Sequence, residues 1–93
     1  MADLKINYAN TRSAGNTVKQ KSSEFSDLLR AIHEQNEELK SHWQGADADS
    51  YTKKISEQEQ VMKNLKSAMD EMGEYLVKVA NAYEEAMESN KIN

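Results

Sequence analysis

Apolar residues recur along this chain at the spacing of a coiled-coil seam, in two separate stretches. In the first, Val18, Phe25, Ile32 and Leu39 stand seven residues apart, and Ser22, Leu29, Asn36 and Trp43 form a second row of the same period. The combined rows alternate steps of four and three, the spacing that holds one side of a helix against another helix. Leu28 broadens the stripe. In the second stretch, Tyr51, Gln58, Leu65, Met72, Val79 and Ala86 form one row, and Ile55, Met62, Met69, Leu76 and Tyr83 form the other. Ala68, Tyr75 and Ala82 add a third row beside them.

The pattern predicts helix 1 over about residues 8–42 and helix 2 over about residues 47–89. Asn7 is placed to cap helix 1 after a short extended segment, Leu4-Lys5-Ile6, because its side chain can accept from free backbone N–H groups. Asp47 or Asp49 can cap helix 2 and complement its dipole. Thr11, Gly15 and Ser22 put little apolar mass on the early part of helix 1, and Gly15 costs roughly 1 kcal/mol relative to Ala in a helix interior. Ala14, Gly15 and Ser22 can instead mark a close helix crossing. Gly73 lies off both rows of helix 2, which is expected to run through it. The chain contains no proline, so nothing in it forbids long unbroken helices.

Between the two helices stands Trp43-Gln44-Gly45, with the only tryptophan of the chain. Gly45 lets the chain reverse and Trp43 pins the bend, so residues 43–46 read as the turn of an antiparallel hairpin. Trp43 has two readings, as the cover of the turn and as part of an export-recognition patch. At about 1.5 Å per residue, helix 2 is the longer and is expected to overshoot helix 1, leaving the turns around Tyr83 to Met87 without an intramolecular partner. The expected seam comprises Val18, Phe25, Leu29, Ile32 and Leu39 with Tyr51, Ile55, Met62, Leu65, Met69, Met72, Leu76 and Val79. Two helices cannot cover so wide an apolar face, so the fold class is all-α, a two-helix hairpin that dimerises into a four-helix bundle. Asn36 and Gln58 lie on the seams, where a buried polar pair would set the register.

Composition narrows the function. With 93 residues the chain is one domain, and with no cysteine it has no disulfide, thiolate metal site or Cys nucleophile. Residues 1–42 carry six charges of each sign; residues 46–93 carry six Lys and ten Asp/Glu, within a net charge of −4. An acidic chain without a basic stripe argues against nucleic acid and anionic membrane as partners. The first seven residues lack the pattern of a secretory signal peptide, and no apolar run spans a bilayer.

No constellation calls for catalysis, a metal or a cofactor. His33 and His42 do not share a helix face at ligand spacing. His33 and Glu37 stand at i and i+4, which reads as a solvated pair. The isolated glycines make no phosphate loop, and no serine sits in a strand-turn-helix elbow. The methionines at 62, 69, 72 and 87 read as core, and also as the adaptable surface of a chain with more than one partner.

Two heptad helices about a central Trp-X-Gly resemble the WXG family of type VII secretion. Trp43 and Gly45 match the fixed positions of its motif, Gln44 the variable one, and Ile6-Asn7 is similar to its lead-in. The resemblance covers nearly the whole chain. It implies a non-catalytic helical hairpin, secreted without a cleaved signal peptide by a machine whose ATPase is a partner. It also implies dimerisation, here most simply as a homodimer, and action as a secreted substrate, a virulence factor or the partner of a toxin. The alternative is a helper hairpin that pairs with a related hairpin or a larger toxin's helical N-terminal region and takes it to export. Many family members carry Tyr-X-X-X-Asp/Glu after the second helix. Here Tyr83 is followed at four residues by Met87, and the acid, Glu88, comes one residue late. Tyr83 and Glu88 are therefore the candidate export signal, with Tyr83 equally explained as a seam residue.

Overall fold

A computed structural model describes residues 6–92, with side chains to residue 90. Leu4 and Lys5 of the expected lead-in lie outside the described residues. The chain is an antiparallel hairpin of two helices, α1 (Tyr8–Ser41) and α2 (Ala46–Ile92), with overall dimensions of 73 × 25 × 16 Å. The long axis is about what 47 helical residues span at 1.5 Å each.

Both ends of α1 are closed by local hydrogen bonds. The Asn7 side chain accepts from the Asn10 N–H at 3.0 Å and starts α1. At the other end, the N–H groups of His42 and Trp43 each donate at 3.1 Å, to the carbonyls of Leu39 and Lys40. Gly45 then takes φ = 101°, the one left-handed residue among those described, and its carbonyl accepts from the Ala48 N–H at 3.2 Å. Asp47 and Asp49 lie in the first turn of α2, where carboxylates offset the helix dipole.

The helices meet along a line of small and polar residues. Gly15, Ser22, Gly73 and Ala80 are its buried members. A Cβ built on Gly15 would stand 2.8 Å from the Val77 side chain and 2.9 Å from the Gly73 carbonyl oxygen. One built on Gly73 would stand 3.0 Å from the Gly15 carbonyl oxygen and 2.5 Å from the Lys19 stem. The two backbones touch at this crossing because neither glycine has a side chain. Gly73 is therefore a contact residue of α2, although it lies off both of its apolar rows.

Three polar clusters fix the register on either side of that crossing. Near the open end, Arg12 donates from Nη2 to Asn81 Oδ1 at 2.9 Å, pairs with Glu84 and lies 5.8 Å from the Tyr8 ring centroid. In the middle, the fully buried Ser22 hydroxyl donates to Asp70, which also receives Lys66 Nζ at 2.6 Å. Nearer the turn, Glu59 holds His33 Nδ1 and Asn36 Nδ2, each at 2.7 Å. Asn36 thus sets register through Glu59 and His33. Gln58, the expected partner, is exposed, one residue too early to face α1.

Helix α2 overshoots the start of α1 as expected, but the turns around Tyr83 to Met87 do have an intramolecular partner. Tyr83 packs on Tyr8 with ring centroids 6.5 Å apart, and Met87 shares a groove with Ile6, Asn7 and Tyr8. The fold-back is centred at Gly45 and α2 does run on past the start of α1, but Tyr8 and the lead-in residues Ile6 and Asn7 reach over its next turn. Residue 8 then faces residue 83, and the lead-in reaches Met87.

The glycine contact yields a quantitative expectation. Gly15→Ala should destabilise the protein by about 1–3 kcal/mol, because overpacking against backbone outweighs the roughly 1 kcal/mol gained in helix propensity. Denaturant unfolding of the variant measures it; a more stable variant would mean that the helices do not cross here.

Candidate functional site

With the seam of α1 taken as Gly15, Ser22, Leu29 and Asn36, the residues three further along are Val18, Phe25, Ile32 and Leu39. With the seam of α2 taken as Thr52, Glu59, Lys66, Gly73 and Ala80, the same step gives Ile55, Met62, Met69, Leu76 and Tyr83. In an antiparallel pair of right-handed helices the same offset projects to the same face of the hairpin. Those nine residues therefore form one apolar face. The residues four beyond the seam project to the opposite face and include Lys19, Ser26, His33 and Lys40 on α1 and Ser56, Lys63, Asp70 and Glu84 on α2.

The structure thus separates two things that the heptad rows merge. Of the expected seam residues, Leu29 lies at the centre of the α1–α2 contact. Val18, Phe25, Ile55, Met62, Met69, Leu76 and Val79 lie beside it, half-buried, and Ile32, Leu39, Tyr51, Leu65 and Met72 are exposed. Leu65 keeps 53% and Met72 58% of its surface in water. Isolated exposed apolar groups are ordinary, but a contiguous face of them running the length of a hairpin marks an interaction surface. The centre of the contact escaped sequence reading because its α2 members, Glu59, Lys66 and Gly73, carry no apolar signal; only their seven-residue spacing could have shown it.

At the closed end, Trp43 is half-buried and meets Tyr51 edge-on, with ring centroids 5.9 Å apart and planes at 67°. The pair covers the first turn of α2. It lines a shallow groove with His42, Gln44, Asp47 and Ala48. At the open end, the two members of the candidate export signal point to different grooves. Tyr83 lines the one with Tyr8 and Met87, whereas Glu88 lines another with Asn81, Glu84 and Glu85. Five residues on a helix turn through about 500°, so the late acid is carried off the tyrosine's face.

The model for the family described as "Proteins of 100 residues with WXG" matches residues 3–87. The chain belongs to the WXG100 family. A solved structure, Geobacillus thermodenitrificans EsxA in crystal form I, superposes with a TM-score of 0.79 over 98% of this chain and 99% of that one, at 15% identity. The likeness extends to the whole hairpin fold. No match is found among curated protein sequences. Membership places the chain in a family of type VII secretion substrates, whose members are known as non-catalytic proteins and generally pair as dimers.

Nothing in the polar face competes with that reading. A groove of about 420 Å³ on it is lined by Ser26, Arg30, His33, Lys63 and Lys66 among others, but Arg30 reaches Asp27 at 3.5 Å, and His33 and Lys66 hold Glu59 and Asp70. His33 lies 3.8 Å from Glu37, so the i, i+4 pair exists, but its nearer partner is Glu59 across the seam. Among the described residues, no group of three or more His, Asp or Glu could hold a metal ion, and no helix is long and apolar enough to cross a membrane.

Both bridging carboxylates titrate below their ordinary range. For Glu59 the main cause is the Asn36 hydrogen bond, followed by that of His33. For Asp70 it is the Lys66 hydrogen bond, followed by that of Ser22. A carboxylate depressed in the folded state contributes stability that is present above its unfolded pKa and lost as pH falls through the folded one. The melting temperature should therefore fall as pH drops below about 4, and fall less steeply in Glu59→Gln. Identical pH profiles for wild type and variant would remove Glu59 from the latch. At the turn, Gly45→Ala should cost about 1–2 kcal/mol purely through backbone strain, since nothing lies within 4 Å of the added methyl. Equal stability of Gly45→Ala and wild type, by denaturant midpoint, would contradict the left-handed turn.

Proposed function

We propose that this chain is exported by type VII secretion as a non-catalytic homodimer whose work is protein binding. The observation that carries the reading is the apolar face shared by α1 and α2. Two copies laid face to face would bury Val18, Phe25, Ile32 and Leu39 against the partner's Ile55, Met62, Met69 and Leu76, completing a four-helix bundle. Each large side chain so covered contributes about 1.5–3 kcal/mol. The hairpin alone has no comparable core: among its described residues, the one fully buried apolar side chain is Ala80.

In this reading Trp43 and Gly45 have a structural task, fixing the closed end through the Tyr51 contact and the left-handed turn, and a recognition task at the secretion machine. Tyr83 and Glu88 form the candidate signal for its ATPase. Tyr83 also ties the open end to Tyr8, so its phenolic edge is held in place for a partner. The second reading, a helper that pairs with a larger toxin's helical region, uses the same apolar face with a different occupant.

Light scattering coupled to size exclusion tests the assembly. A mass near twice the 10.6 kDa chain is expected; a folded, fully helical monomer would sink the homodimer and move the helper reading to the front. Phe25→Asp or Leu65→Asp would put an unpaired charge in the interface and should weaken the dimer by several kcal/mol. Export is tested in a strain with an active type VII machine, where wild type should reach the medium and Trp43→Ala should not; retention of both would overturn the secretion reading.

A further inference from the structure

The two helices of the hairpin are not equal on their outer sides. One row further round from the shared apolar face, two residues beyond each seam position, α1 carries Thr17, Glu24, Ala31 and Glu38. The same offset on α2 carries Val61, Ala68, Tyr75 and Ala82. Val61 is 59% and Tyr75 64% exposed, the latter more than any other large apolar residue described. With Leu65, Met72 and Val79, which stand between it and the shared apolar face, that row keeps the four-three spacing of a seam. It points away from α1.

A two-on-two bundle covers Leu65, Met72 and Val79 at its edge and leaves the row of Val61, Ala68, Tyr75 and Ala82 open. The first seam sits at the bundle axis, where the helices' matching rows meet. A row lying a further 100° or so around α2 falls on the outside of the bundle. Its outer margin is the row Glu57, Asn64, Glu71, Lys78 and Glu85, three acids to one base. Pairing α2 with α2 of another copy through this seam would set acidic margins against one another, which disfavours a second copy as occupant.

We propose that the outer face of α2, from Val61 to Ala82, docks a helix of a different protein that carries an apolar heptad stripe with a lysine- or arginine-rich margin. The site is about 32 Å long, some six turns of helix. Each homodimer presents two such sites, so the assembled protein acts as a carrier for helical partners as well as a bundle. The inference rests on the homodimer proposed above, and the test separates the two.

The test uses the intact protein and two fluorescein-labelled synthetic helices of about four heptads, with leucine and alanine at the seam positions and either lysine or glutamate at the margins. Solution mass is measured first. The lysine-margined helix should then bind the wild-type dimer, by anisotropy, roughly tenfold tighter than the glutamate-margined one. Ala68→Lys should lower that affinity at least about tenfold with the dimer mass unchanged. Glu71→Lys should narrow or reverse the preference between the two helices, also without changing the mass. Equal binding of the two helices, no binding, or no loss in Ala68→Lys would overturn the docking site. Loss of dimer mass in Ala68→Lys would overturn it as well, by assigning the outer face to the second copy. A wild-type mass near 10.6 kDa would overturn the homodimer itself, before any helix is added.

Discussion

The approach of Gly15 to Gly73 governs the rest of this hairpin. Where two helix backbones touch, no large side chain fits between them. At the crossing the residues on the line of contact are accordingly small, such as Ser22 and Ala80; toward the turn the line admits Leu29 and polar side chains such as Glu59, whose carboxylate holds His33 and Asn36. The chain's larger apolar side chains are displaced to one side of the line. Both helices displace them in the same direction, because the same three-residue step is apolar on each. A two-helix protein with its apolar groups between the helices would be a closed unit. This one, with its apolar groups beside them, presents half of a core.

Polar clusters suit such a seam better than apolar packing would. Arg12 with Asn81 and Glu84, Ser22 with Asp70 and Lys66, and Asn36 with His33 and Glu59 each join residues far apart in sequence at one fixed height along the hairpin. An apolar stripe of Leu and Met tolerates a slip of one heptad at small cost; a donor aimed at one carboxylate does not. No buried side-chain nitrogen or oxygen among the described residues is left without a hydrogen bond, so the clusters fix register without a desolvation penalty left standing. Two of the three lie partly open to water, where the net contribution of an ion pair is small. Their role is alignment, and the stability of the assembly has to come from the apolar face.

Much of this architecture is legible in the chain. The heptad rows mark both helices, Asn7 caps where its side chain suggests, and Trp43-Gln44-Gly45 sits at the reversal. The close crossing at Gly15 and Ser22 is also foreseeable from the poverty of apolar mass there. What periodicity cannot separate is which of two adjacent rows faces the sister helix and which faces a second molecule, because both are one heptad stripe to a sequence. Gly73 illustrates the difficulty: it lies off both apolar rows and so looks like a mere weak point of the helix, yet its missing side chain is what α1 packs against. Glu59 is a second case. A glutamate between Gln58 and Gln60 carries no sign of a buried partner until α1 is placed beside it and His33 and Asn36 arrive from the same side.

The difference between α1 and α2 then acquires a physical meaning. A hairpin that needed only to pair with itself would require one apolar face, equal on both helices, and α1 has no more than that. Its outward rows are Thr17, Glu24, Ala31 and Glu38 on one side and Ala14, Lys21, Leu28, Gln35 and His42 toward the bundle edge, all exposed, with Leu28 their one large apolar member. The longer α2 keeps apolar residues over a far wider arc, from Met69 through Met72 to Tyr75. Exposed apolar surface on that scale favours aggregation unless something covers it. Here it is confined to one helix and bordered by acids that repel a like surface. That arrangement restrains uncontrolled self-association while leaving the stripe open to a helix of opposite margin. The narrow, polar seam between the helices makes it possible, since a hairpin that packed its large residues inward would have none left to show.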